Sequence, residues 1–84
     1  MTNNGILKKQ IIYRSTHRGS KEMDILLGSF VKKHIDELNE QDLKNLQQIL
    51  FIEDEILYRW YFEKDKTQAI PDNKISRMLE KFKL

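Results

Sequence analysis

Cysteine is absent from this 84-residue chain, which excludes disulfides, thiolate nucleophiles and zinc sites built on cysteine. Histidine is scarce: His17 and His34 cannot hold a metal by themselves, and they are not at the i, i+4 spacing of a helical ligand pair. Three glycines, each isolated, make no phosphate-binding loop, and a single proline leaves few turn signals. No apolar run approaches the roughly 18 residues needed to span a bilayer, so membrane insertion is not expected. An excess of one charge is missing too. Fifteen basic residues interspersed with 13 acidic ones give a net charge of +2, which provides no large field to attract nucleic acid or a membrane surface. Met1 to Gly5 are polar, with no apolar h-region and no Arg-rich presequence. Residues 1–5 are therefore expected to be a flexible N-terminus of a cytoplasmic protein. A processed protein of the mitochondrial matrix has the same appearance.

What is present is a balance of 39% hydrophobic and 33% charged residues, which suits one compact domain over residues 1–84. A chain this short buries only about 60% of its unfolded surface, so its core must be economical. Apolar residues recur at helical spacing and turn-bounded β-branched clusters are absent, which predicts an all-α, five-helix bundle. The first helix spans about Ile6 to His17, with Ile6, Leu7, Gln10, Ile11 and Arg14 along one face, and ends at Gly19 in a left-handed conformation. Ser20 then caps a second helix through Leu38, whose stripe is Met23, Leu26, Leu27, Phe30, Val31, His34, Ile35 and Leu38. Asn39 and Asp42 form a capping pair for a third helix, about Glu40 to Phe51, with Leu43, Leu46 and Leu50 inward. A fourth helix through about Glu63 turns Ile56, Leu57, Trp60 and Tyr61 inward. Tyr58 and Phe62 lie on another side, available to the fifth helix or to a partner. Pro71 is placed in the first turn of that fifth helix, which buries Ile75, Met78, Leu79 and Phe82.

The segment Arg18-Gly19-Ser20-Lys21-Glu22-Met23-Asp24 carries the most specific information, with a glycine, a cation and two carboxylates between two helical patterns. Acidic residues in a first turn complement the helix dipole by about 0.3–1 kcal/mol, which is reason enough for their presence. On a helical wheel, however, Glu22 and Asp24 flank the apolar stripe roughly 160° apart, and neither is committed to the core. They diverge too far to act as an acid and base pair. Ile25 points away from the stripe, and Gly28 costs about 1 kcal/mol relative to alanine, a cost that close approach of another backbone would explain. Arg18, Gly19, Glu22, Ile25 and Gly28 thus describe a docking patch better than an active site. His17 fits a solvated helix end, and His34 a core histidine. No hydroxyl has triad-like partners, so no catalytic residue is assigned.

These residues also resemble a known signature. Arg18-Gly19-x-x-Glu22-x-Asp24 followed by Ile25-Leu26-Leu27-Gly28, with Tyr13-Arg14-Ser15 before it, is similar to the signature of the small succinate dehydrogenase assembly factors that promote covalent flavin attachment. Asp54-Glu55-Ile56-Leu57-Tyr58-Arg59-Trp60 resembles that family's second marker. Ser20 and Lys21 stand where the family is commonly more apolar, and Ile56 where an acidic residue is usual. The resemblance implies a non-enzymatic, monomeric five-helix domain that binds the flavoprotein subunit of succinate dehydrogenase, in some bacteria that of fumarate reductase. It implies no stably bound cofactor, since the FAD acted on is carried by the partner. The chaperone would hold the flavin methyl group and the partner's histidine in attack geometry without donating a nucleophile. Arg18, Gly19 and Glu22 would carry the role: Arg18 and Glu22 engaging the partner, Gly19 keeping the turn tight, and Asp24 matching further. Ile25, Gly28 and Tyr58 complete the expected partner-binding set. The competing expectation is a nucleic-acid-binding domain that uses Lys8, Lys9, Arg14, His17 and Arg18 on a helix-turn-helix-like pair.

Overall fold

The computed structural model describes residues 4–84, and among these the ordered elements are helical: α1 (Asn4–Thr16), α2 (Lys21–His34), α3 (Glu40–Leu50), α4 (Asp54–Tyr61) and α5 (Lys74–Lys81). The five-helix, all-α expectation therefore holds. Residues 1–3 of the expected flexible N-terminus lie outside the described residues, while Asn4 and Gly5 belong to α1.

One core gathers residues from every helix. The stripe of α2 supplies Met23, Leu26, Leu27, Phe30 and Val31. Around it pack Ile11 of α1, Leu43, Leu46, Ile49 and Leu50 of α3, Leu57 and Trp60 of α4, and Ile75 and Leu79 of α5. Fully burying a side chain of this size stabilises the fold by about 1.5–3 kcal/mol, so the α2 stripe is the main organiser. The inward face of α1 differs from the predicted one. Leu7, Ile11 and Ser15 turn toward the core, whereas Ile6 is 61% exposed and Gln10 and Arg14 face solvent. Ser15 is buried without penalty because its hydroxyl donates to the Ile12 carbonyl at 2.9 Å.

Local capping chemistry sets most boundaries. Ser20 sits in extended backbone and accepts the Met23 N–H, which starts α2 as expected. Asn39 accepts the Asp42 N–H at 2.8 Å and Asp42 returns the bond, the reciprocal arrangement anticipated for α3. The α2 helix stops at His34 rather than Leu38, and Ile35–Glu37 form a 3-10 turn. In that tighter coil i and i+3 eclipse, so Ile35 and Leu38 stay on the buried side while the chain turns into the extended Asn39. His34 is only half-buried, its ring 4.8 Å from that of Phe30. Pro71 does not open α5. Beyond it Asn73 caps the helix, accepting the Ser76 N–H at 2.9 Å while the Ser76 hydroxyl accepts the Asn73 N–H at 3.0 Å, a more complete satisfaction of free donors than proline offers. Ile56, expected to point inward, is only half-buried, and Tyr61, Met78 and Phe82 are half-buried at the edge of the core. There the Tyr61 hydroxyl donates to the Phe82 carbonyl, and burial raises the Tyr61 pKa.

Candidate partner-binding corner

The turn between α1 and α2 is built around Arg18. Its guanidinium is drawn into the chain, with side-chain exposure of 9%, and is not offered to solvent. Nε and Nη2 both reach Asp54 Oδ1 at 2.7 Å. Nη1 donates to the Leu50 carbonyl at 2.6 Å, and Nη2 to the Ile52 carbonyl at 2.9 Å. Leu50 ends α3, where carbonyls have no helical partner and the dipole is negative, so a guanidinium is well matched there. Asp54 opens α4, where the dipole favours a carboxylate. Arg18 thus joins the end of one helix to the start of the next. Hydrogen bonds to charged groups contribute about 1.5–3 kcal/mol each, offset in part by desolvating the two charges.

Gly19 is fixed by the same carboxylate. Its N–H donates to Asp54 Oδ2 at 2.6 Å. The expected left-handed conformation is not found, because no glycine among the described residues has a positive φ. What requires a glycine is close approach: a Cβ there would stand 3.3 Å from Asp54 Oδ2. Asp24, expected to be uncommitted, accepts the Arg18 backbone N–H at 2.6 Å. The carboxylate of α2's first turn and that of α4's first residue therefore hold the turn from both sides.

Glu22 and Asp24 do diverge, and with them the predicted patch divides in two. Gly19, Ser20, Glu22, Asp54, Glu55 and Tyr58 line an open depression of about 480 Å³. Tyr58 is 38% exposed there, and its ring stacks at a tilt on Phe62 at 4.8 Å. Asp24, Ile25 and Gly28 belong instead to a groove of about 460 Å³ between α1 and α2, with Ile12, Val31 and Ile35 as apolar walls. Gly28 lies where the end of α1 approaches: a Cβ would meet Thr16 Cγ2 at 3.5 Å and the Ser15 carbonyl at 3.8 Å, ordinary contact distances. The wheel failed here because Ile25, angularly close to Glu22, leans toward α1 once the helices are packed.

Three of the basic residues in the nucleic-acid expectation are engaged within the chain. Lys8 lies 3.6 Å from Asp36, the Arg14 guanidinium covers the Phe51 ring at 4.5 Å, and Arg18 is internal. His17 is exposed and stacks on Tyr13, with its Nδ1 2.8 Å from the Tyr13 carbonyl. Among the described residues no three His, Asp or Glu side chains are grouped as metal ligands would be, and no helix is long and apolar enough to cross a membrane.

A family model described as flavinator of succinate dehydrogenase matches residues 9–83. The chain belongs to the succinate dehydrogenase flavinator family. Among its relatives are two fungal proteins named succinate dehydrogenase assembly factor 2, mitochondrial. That of Meyerozyma guilliermondii is 35% identical over 78 residues, covering 88% of this chain and 58% of the relative. That of Saccharomyces cerevisiae is 33% identical over 87 residues, covering 96% and 54%. A bacterial relative, the FAD assembly factor SdhE of Acetobacter pasteurianus, is 31% identical over 74 residues, covering 88% and 65%. The chain therefore spans between about half and two thirds of the length of these relatives. No solved structure matches it.

In this chain the two markers converge on one place. Gly19 and Glu22 come from the first, and Asp54, Glu55 and Tyr58 from the second. The sequence places Asp54 at the head of the second marker, and its contacts with Arg18 and Gly19 arise only in the fold. A signal existed: an arginine in a half-buried turn needs an acidic partner, and each marker supplied one half of the pair.

Proposed function

We propose that this protein binds the flavoprotein subunit of succinate dehydrogenase at the Gly19–Glu22–Tyr58 corner and promotes covalent attachment of the FAD that the subunit carries. The observation that supports this reading is the convergence of both family markers on one depression, where exposed Glu22 and Glu55, the latter paired with Arg59 at 2.7 Å, stand beside the Tyr58 ring. The chain supplies orientation, not a nucleophile or a proton shuttle: it holds the partner so that flavin and acceptor side chain meet in reactive geometry, which can replace much of the entropic part of a barrier. It acts as a non-enzymatic assembly factor in the compartment where the flavoprotein matures, the bacterial cytoplasm or the mitochondrial matrix.

Co-expression with the flavoprotein subunit, followed by flavin fluorescence on a denaturing gel, tests the reading. Covalent flavin should rise when this chain is present, and Gly19→Arg or Glu22→Ala should abolish most of the rise. Equal labelling with and without the chain would refute it.

A further inference from the structure

We infer that Arg18 and Asp54 form an internal clasp that positions the docking corner and that neither side chain contacts the partner; the inference rests on the partner-binding reading above. Arginine has five N–H donors in a rigid fork. Here the fork is occupied on all sides: Nε by Asp54, Nη2 by Asp54 and the Ile52 carbonyl, and Nη1 by the Leu50 carbonyl and, at 3.4 Å, that of Arg14. To grip a carboxylate or phosphate on another protein, Arg18 would have to leave the carbonyls at the end of α3 unsatisfied, and buried or half-buried carbonyls without donors are costly. Asp54 is equally committed, with Oδ1 on Arg18 and Oδ2 on the Gly19 N–H, and its side chain is only 21% exposed.

The clasp nonetheless controls what the partner would meet. Asp54 is the first residue of α4, and Tyr58 stands one turn further along the same helix. Gly19 directly precedes Ser20, the cap from which α2 and Glu22 start. No side chain caps α4 at Glu53, so the Asp54 pairing is the polar contact that sets how this helix begins. Through one carboxylate, therefore, the spacing between Glu22 on α2 and Tyr58 on α4 is fixed. Asp54 and Arg18 are positioning residues.

The test measures affinity and rate separately on the full chain with the purified flavoprotein subunit, using Asp54→Asn, Arg18→Lys, the double variant, and Glu22→Ala for reference. Binding is followed by calorimetry below each variant's unfolding transition, where a loss of stability alone leaves affinity unchanged. Each clasp variant should bind about tenfold more weakly than wild type, and the double variant no worse than either single one, since coupled residues are not additive. A saturating excess of any clasp variant should restore the wild-type rate of covalent FAD formation. The idea fails if Asp54→Asn binds like wild type while Arg18→Lys does not, or if the two losses multiply. A measurement on unmutated protein covers variants that fail to fold: the Arg18 Nε–H resonance should hold its position when the partner is added, while the Gly19 and Glu22 amides shift. A large shift of Arg18 Nε–H would also overturn the clasp. Absence of wild-type binding would instead sink the partner reading itself.

Discussion

The corner around Asp54 and the seat of α5 are fastened by different means. At the corner, the Arg18 guanidinium is satisfied by Asp54 and by the Leu50 and Ile52 carbonyls at and beyond the end of α3, while Asp24 and Asp54 accept the backbone N–H groups of Arg18 and Gly19. At the seat of α5, Ile75 and Leu79 are sunk in the common core, and the polar contacts, which are the Asn73–Ser76 cap, Lys74 on Asp42 at 3.3 Å and the Tyr61 hydroxyl on the Phe82 carbonyl, surround that apolar seat. Apolar burial is strong but non-directional, so it holds α5 down without dictating angles closely. Hydrogen bonds to charged groups are directional and tolerate little misplacement, so they suit a place where two helices must present side chains at a set spacing. The difference teaches where stability and recognition are separable in this small fold.

The sharpest way to break that comparison is Leu79→Ala, which should lower unfolding free energy by about 2–5 kcal/mol in urea titrations while leaving the partner affinity of the folded fraction unchanged. An affinity that falls along with stability would show that the two regions are not independent. Next in size is Gly19→Ala. Its added methyl presses on Asp54 Oδ2 at 3.3 Å, so stability should fall by about 1 kcal/mol and partner affinity with it. Gly28→Ala is the opposite case in the α1–α2 groove. Its Cβ would sit at ordinary contact distance, so relief of glycine's entropic cost should raise stability by about 0.5–1 kcal/mol with no effect on the corner. The smallest effect concerns the loop after α4. There Thr67, by side chain and backbone, and Gln68 donate to Asp65 and hold its carboxyl below its ordinary value of 3.8. Because the folded pKa is the lower one, this contribution is present above the ordinary value and is lost as pH falls through the lowered one. Asp65→Asn should therefore flatten slightly the acid side of a stability–pH curve, and an unchanged acid limb would show that the loop carries no such linkage.

Much of the fold was readable because its causes are local. The α2 stripe, the Ser20 cap and the Asn39–Asp42 box all follow from residues within a few positions of one another, and they stand where the periodicity predicted. Errors appeared where a distant or stronger local partner intervened. Pro71 was outcompeted by the Asn73 cap, and the face of α1 was rotated by packing on α2 and α3. Gly19 was expected to provide backbone freedom and instead provides room for Asp54. Within the expected site, Glu22, Gly19 and Tyr58 do come together. Ile25 and Gly28 fall in a separate groove with Asp24, which also braces the turn.

The sequence by itself determined the helical class, the core of α2, the main caps and the family signature, because spacing and side-chain chemistry act over single turns of helix. Only the tertiary structure decided that Arg18 faces inward. That outcome depends on Asp54, 36 positions away along the chain. It depends also on carbonyls left unpaired where α3 ends, and neither is visible until α3 and α4 have been brought against the turn.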